Sequence, residues 1–130
     1  MSCSMTIDAV RDRTKTVTRR HVDTWQNLRP GDRLTLIEKG MGLPKGAKQV
    51  VLAEVEIVDV RIETLDALHT EAQACASEGF PHMGVSEFAR MWSTSHGYSK
   101  RIHPNLLGLI ECRRIEWRYL TDIDRAEATP

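Results

Sequence analysis

The densest concentration of chemistry-bearing side chains in this chain is Arg13-Thr14-Lys15-Thr16-Val17-Thr18-Arg19-Arg20, with four cations and three hydroxyls in eight consecutive residues. Alternating Thr and Val without Gly or Pro reads as a β-strand. Side chains on a strand alternate between faces, so Thr16, Thr18 and Arg20 share one face. Such a strand suits the wall of a pocket for something anionic or rich in hydrogen-bonding groups. The competing reading is an exposed edge strand, where Lys and Arg discourage edge-to-edge pairing.

Other reactive residue types are scattered. Five histidines (His21, His69, His82, His96 and His103) match no zinc spacing, and no Cys or His neighbour pairs with them. No metal and no other cofactor is therefore expected. His96 falls at a helix end, where a cation suits the dipole. Cys3, Cys75 and Cys112 are odd in number and lack a CxxC spacing, which argues for a reducing compartment and against a disulfide framework. The glycine-rich loop at residues 40–46 carries Lys45, with Lys48 close behind. It can reach phosphates but lacks the P-loop pattern, so a solvated hairpin is the simpler reading. Trp92 and Trp117 fall on apolar faces and read as core. Trp25, in an irregular segment beside the basic strand, is the better candidate for stacking on a base.

The elements that must position these groups follow from periodicity. Thr6 is placed to cap a helix over residues 7–13, with Ile7 and Val10 inward. Pro30-Gly31-Asp32 is a turn into a strand over residues 33–39. Residues 49–63 form the longest β signal, and their apolar parity slips. Val51, Ala53, Val55 and Ile57 share one face, and then Val58, Val60 and Ile62 run one residue out of phase. A bulge near Ile57-Val58 keeps both halves on the core. The closing strand shows the same habit, with Ile110 and Cys112 first and Ile115, Trp117 and Tyr119 after. Thr64 opens a helix that Gly79 ends. A second helix over residues 85–96 stripes Val85, Phe88, Met91 and Trp92 inward.

The order is helix, three strands, two helices, strand. It predicts an α+β fold: a small, mostly antiparallel, bulged β-barrel flanked by about three helices. A length of 130 residues supports one domain over residues 1–121, with a polar tail at 122–130 expected to fray. With 41% apolar and 28% charged residues the chain is globular, and its zero formal net charge supplies no global pull toward nucleic acid. Any such binding must use a local patch. No apolar run approaches membrane length and no signal-like stretch opens the chain, so a cytoplasmic protein is expected, as a monomer or homodimer.

Arg13 to Arg20 resembles the G-x-K-x-x-x-x-R signature of the ASCH domain family, a branch of the PUA-like barrels. Lys15 and Arg20 match, and Arg13 stands at the glycine position. Leu28-Arg29-Pro30-Gly31-Asp32-Arg33-Leu34 resembles that family's turn into its next strand. The Thr-Lys-Thr-Val-Thr-Arg-Arg stretch, Met41-Gly42-Leu43, Glu78-Gly79-Phe80-Pro81 and the closing Arg114-Ile115-Glu116-Trp117-Arg118-Tyr119-Leu120 are similar to small phage and bacterial ASCH proteins. The resemblance covers nearly the whole chain. It implies a PUA-like barrel and roles in RNA binding, ribonuclease activity or nucleoside deacylation.

A bacterial amidohydrolase of that family removes the acetyl group of N4-acetylcytidine. It uses a threonine nucleophile, a lysine three residues earlier and a glutamate after the long strand. The resemblance places these roles on Thr18, Lys15 and Glu78, with Glu71 as the fallback glutamate. A threonine needs a base beside it, and a lysine serves if burial lowers its pKa. On one straight strand Lys15 and Thr18 point to opposite faces, so they meet only if Lys15 sits on an elbow between helix and strand. Arg19, Arg20, Trp25, Lys39 and Lys45 are the ligand-binding candidates, with Lys39 expected to join from the neighbouring strand. The expected partner is RNA, a nucleoside or a modified base. Binding without chemistry comes first, an N4-acylcytidine amidohydrolase second and a ribonuclease third.

Overall fold

The structure is a computed structural model that describes residues 1–39, 44–98 and 101–127. The Met41-Gly42-Leu43 stretch lies outside the described residues. Among those described, the elements are α1 (Ile7–Arg11), β1 (Val17–His21), β2 (Arg33–Ile37), β3 (Val51–Thr64), α2 (Ala74–Ser77), α3 (Val85–Ser95), β4 (Glu111–Tyr119) and α4 (Asp122–Glu127). Two 3-10 turns, Leu65–His69 and Pro104–Leu109, complete them. No described helix is long and apolar enough to cross a membrane.

The four strands form one antiparallel sheet in the order β1-β4-β3-β2. The sheet curls into a half-barrel. At its β2 edge the chain's first residues take up the free backbone groups: Ser2 bridges Ile37, and the Cys3 N–H donates to the Ile37 carbonyl at 2.8 Å. Arg20 on the opposite edge strand donates through Nη2 to the Ser2 carbonyl at 2.7 Å. One short segment therefore links the two ends of the sheet.

The parity slip in β3 is a bulge. Ile57 faces Trp117 and Asp59 faces Glu116, so Val58 is the extra residue, and it is 45% exposed. Past it, Val60 pairs with Ile115 and stays on the face of Val55 and Ile57. The slip expected in β4 is not a bulge. β4 pairs with β1 without a register shift, and the β3–β4 shift lies in β3. As an inner strand, β4 buries apolar residues on both faces. Ile115 and Trp117 join Val10, Leu36, Val55 and Ile57 in one core cluster, while Cys112 and the preceding Ile110 join Leu65, Leu68, Phe88 and Trp92 in the other.

The helix expected between Thr64 and Gly79 is broken in two. Gln73 has φ +53, which no continuous right-handed helix accepts, and it separates the Leu65–His69 turn from α2. Thr6 and Thr64 both occupy N-cap positions without a side-chain cap hydrogen bond. Thr6 is buried, with its methyl against Gly79. The tail is helical over Asp122–Glu127, and the Thr121 N–H and hydroxyl both donate to Asp124 Oδ2 at 2.9 Å.

Between α1 and β1 the chain turns sharply at Arg13, whose φ is +65. This left-handed conformation suits glycine best and a β-branched residue worst. Arg13→Gly is expected to leave the thermal midpoint unchanged or raised, whereas Arg13→Val lowers stability by ~1–3 kcal/mol, the usual range for a strained φ. Urea unfolding of the two variants against wild type checks the difference.

Candidate functional site

The elbow is held from four sides. The Lys15 N–H donates to the Ala9 carbonyl at 3.0 Å, and the Thr16 N–H to the Ser77 carbonyl at 2.9 Å. The Lys15 carbonyl accepts from Trp117 Nε1 at 3.1 Å and from the Tyr119 hydroxyl at 2.5 Å. With that backbone fixed outside β1, the Lys15 side chain is free of strand alternation and turns inward, only 3% exposed. Its Nζ donates to the carbonyls of Val17 at 2.9 Å and Glu78 at 2.5 Å, and it lies 3.5 Å from Glu78 Oε2. Burial lowers the Lys15 pKa from its ordinary value, and the Glu78 carboxylate opposes that fall.

Glu78 is placed by the end of α2. Gly79, with φ +98, donates to the Ala76 carbonyl, and Phe80 donates to the Cys75 carbonyl. That pair of bonds is a Schellman ending, with glycine at its left-handed position. A Cβ at residue 79 would lie 2.8 Å from Thr6 Cγ2, so the close approach also requires glycine. The ending delivers the Glu78 carboxylate between two cations. Lys15 approaches Oε2, and Arg19 Nη1 donates to Oε1 at 3.1 Å.

The Arg19 side chain has no solvent exposure and meets three carboxylates. Besides Glu78, its Nε donates to Glu63 at 3.0 Å and its Nη2 to Glu71 at 3.0 Å. Glu71 also accepts from Arg114 Nε at 2.7 Å. These groups belong to a lattice on the face of the sheet opposite the Ile115 cluster, where Arg61 and Arg114 alternate with Asp59, Glu63 and Glu116. Arg19 is thus fully neutralised within the protein. Burial raises the Glu71 pKa, but Arg19 and Arg114 together outweigh it and hold the carboxyl below its ordinary value.

Lys15, Thr18, Arg19, Arg20 and Glu78 border one pocket of about 180 Å³. Arg20 Nε donates to Thr18 Oγ1 at 3.2 Å, so the shared face read from the strand is occupied as expected. The opposite wall is apolar, formed by Phe80, Phe88, Met91 and Trp92. Trp92 is 3% exposed and donates its Nε1–H to the Arg19 carbonyl at 2.8 Å, so this core residue also ties α3 to the edge of β1. Residues 2–6 form a third side, and His96 sits at the end of α3.

Three of the ligand-binding candidates do not reach this pocket. Lys39 is exposed just past β2, and β2 and β1 lie at opposite edges of the sheet, so the two are not neighbours. Lys45 is exposed in the β2–β3 connection. Trp25 is 36% exposed at φ +55 and does not line the pocket. Glu71 is also outside the lining and acts on Arg19 instead. Conversely, Cys3 and His96 border the pocket although nothing in their spacing announces it. His96 is also not the cation that its place at a helix end suggests: burial lowers its pKa and favours the neutral ring.

No family model and no curated protein matches the chain. Among solved structures it is similar to the crystal structure of protein EF3133 from Enterococcus faecalis V583, described as family-model DUF984. The TM-score is 0.56 and the identity 15%, over 88% of this chain and 69% of that one. The likeness is one of fold.

A carboxylate whose folded pKa is depressed stabilises the fold above its unfolded pKa, and that stability is lost as pH falls through the folded value. Glu71→Gln is expected to cost ~1.5–3 kcal/mol at pH 7, as lost charge-assisted hydrogen bonds do. The gap to wild type should shrink as pH falls below about 4.3, the ordinary glutamate value at which the unfolded chain takes up the proton, and close once the folded carboxyl, held lower, protonates as well. Urea midpoints at pH 7 and pH 3 measure it.

Proposed function

We propose that this chain is an ASCH-type, PUA-like domain whose pocket binds a nucleobase or nucleoside. The observation that carries the reading is the pairing of an apolar, aromatic wall with a polar floor on which Lys15 and Arg19 are paired with carboxylates and Arg20 is bonded to neutral groups. A planar heterocycle has an apolar face for Phe88 and Trp92 and a hydrogen-bonding edge for Thr18 and Arg20. A pocket of about 180 Å³ suits such a small ring better than a strand of RNA. A strand of RNA also needs several unpaired cations, whereas Lys15 and Arg19 are committed to carboxylates and only Arg20 among the described pocket residues is left without one. Two features support the family reading. The sheet is curled, and position 13, where the ASCH signature has glycine, adopts the left-handed conformation that glycine favours.

A second reading, hydrolysis of an N4-acylcytidine, draws on the convergence of Lys15, Thr18 and Glu78 at one pocket. Thr18 Oγ1 would attack the acyl carbon while Lys15, its pKa lowered by burial, takes the hydroxyl proton; the acyl–N4 bond would then break with that proton passing to the departing cytosine amine, and water would release the acyl group from Thr18 as the carboxylic acid. Binding is placed first because of the resting hydrogen bonds. Lys15 Nζ donates to two carbonyls and faces a carboxylate, which is the arrangement of an ammonium and not of a base.

Thermal shift with cytidine, uridine, N4-acetylcytidine and a short single-stranded RNA tests the reading, since a ligand of the folded state raises the melting temperature. A nucleoside should stabilise the protein equally at low and high salt. Thr18→Ala should weaken that binding by ~0.5–1.5 kcal/mol, the net value of one hydrogen bond. Stabilisation by RNA alone, falling steeply with salt, would overturn it. Release of acetate from N4-acetylcytidine by wild type but not by Thr18→Ala would establish the hydrolytic reading in its place.

A further inference from the structure

We infer that His96 supplies, through Nε2, the hydrogen-bond acceptor that selects the N–H edge of a neutral planar ligand. The inference rests on the nucleobase reading of the pocket and deepens it. His96 follows α3, and its ring stacks on that of Trp92 at a centroid distance of 3.9 Å and an interplanar angle of 21°. Both rings border the pocket. His96 Nδ1 lies 2.7 Å from the Trp92 carbonyl oxygen. A carbonyl only accepts, so Nδ1 carries the hydrogen. The Ser95 hydroxyl, 3.5 Å from Nδ1, is directed to the Met91 and Trp92 carbonyls at 3.0 Å and offers Nδ1 no competing proton. In the neutral ring the lone pair is therefore on Nε2, which makes no hydrogen bond among the described residues.

Besides the hydroxyls of Ser2, Ser4 and Thr6 on the N-terminal wall, the other polar side chains of the pocket floor are donors or are engaged. Lys15 and Arg20 only donate. Glu78 accepts from Arg19 and faces Lys15, and Thr18 Oγ1 accepts from Arg20. A heterocycle seated on this floor can direct acceptors toward Arg20 and Thr18, while its N–H groups require an acceptor that is still free. His96 Nε2 is placed to be that acceptor. The ligand class is a neutral pyrimidine-like ring bearing an imide, amide or exocyclic amine N–H.

The charge state agrees. The groups that act on the imidazole are Arg20 and His21 from β1, Glu78 from the end of α2, and the buried surroundings themselves. Burial, the largest influence, disfavours the imidazolium, Arg20 and His21 add to it, and Glu78 and the Trp92 carbonyl oppose it. Cys3, on the N-terminal wall, is a thiol whose pKa burial raises, so it stays neutral. The ring is thus an acceptor at neutral pH. Protonation, which the lowered pKa defers to a pH below the ordinary histidine value of about 6.5, turns Nε2 into a donor and closes it to N–H groups.

Calorimetric titration tests this with uridine against 3-methyluridine and cytidine against N4,N4-dimethylcytidine, over pH 5 to 8. Wild type should prefer each N–H nucleoside over its methylated partner by roughly tenfold, the upper value of one hydrogen bond. That preference should fade only toward the acid end of this range. His96→Phe keeps a ring on Trp92 but removes the acceptor, and both the preference and its pH dependence should disappear. His96→Gln, which restores an acceptor oxygen, should recover part of the preference. Should His96→Phe fail to fold, the imidazole 15N spectrum of wild type still decides: Nε2 must be the unprotonated nitrogen, and it must shift when uridine is added. An unchanged preference in folded His96→Phe, or a proton on Nε2, would overturn the assignment of His96 while leaving the pocket a nucleoside site. Binding of no nucleoside to wild type would overturn both.

Discussion

The carboxylate of Glu78 is the joint on which this structure turns. It is almost fully buried, and charge at that depth is tolerable only when paired and hydrogen-bonded. Lys15 meets one of its oxygens and Arg19 the other. Those two residues come from the elbow and from β1, and the carboxylate comes from the end of α2, so one group ties three segments together. Arg19 carries the constraint further, through Glu63 to β3 and through Glu71 to Arg114 on β4. The pocket lies against this assembly, so two of the cations on its floor, Lys15 and Arg19, are already paired with carboxylates.

The same balance sets what the pocket can hold. The basic stretch at residues 13–20 looks in sequence like a surface for anions. Folded, its cations are divided among different tasks: Arg19 is spent on carboxylates, Lys15 on Glu78 and two backbone carbonyls, and Arg20 on Thr18 and Ser2. What remains facing the cavity is Arg20, bonded only to neutral groups, and a set of hydrogen-bonding groups opposite an aromatic wall. Such a site recognises shape and donor–acceptor pattern more than charge.

Much of the scaffold was legible from periodicity. The bulge at Val58 follows from the parity slip in β3, because a misregistered strand would put Val60 and Ile62 on the polar face. The α3 stripe of Phe88 and Trp92 follows from helical spacing. The elbow at Lys15 was legible only through the family resemblance, which asks that Lys15 and Thr18 face one pocket although a straight strand would part them. The parity change in β4 was misread as a second bulge, because periodicity cannot separate a bulge from a central strand that buries both faces. The helix between Thr64 and Gly79 was expected to be continuous, and no residue type at position 73 announces a left-handed backbone. Lys39 was drawn to the pocket by nearness in sequence order, whereas the sheet order places its strand at the far edge. The N-terminal wall and His96 depend on contacts between distant segments, which local pattern does not encode.

The central claim is that a nucleobase-sized ligand occupies the cavity between the Lys15–Glu78–Arg19 joint and the aromatic wall. The most direct test is a 15N chemical-shift map of the protein titrated with cytidine. The account predicts saturable shifts at the Trp92 indole N–H and at the backbone amides of Thr18, Arg20 and Glu78, with the amides around Lys39 and Lys45 unmoved. Shifts confined to the Lys39 and Lys45 segments, or no saturable shift at the Trp92 indole, would contradict it.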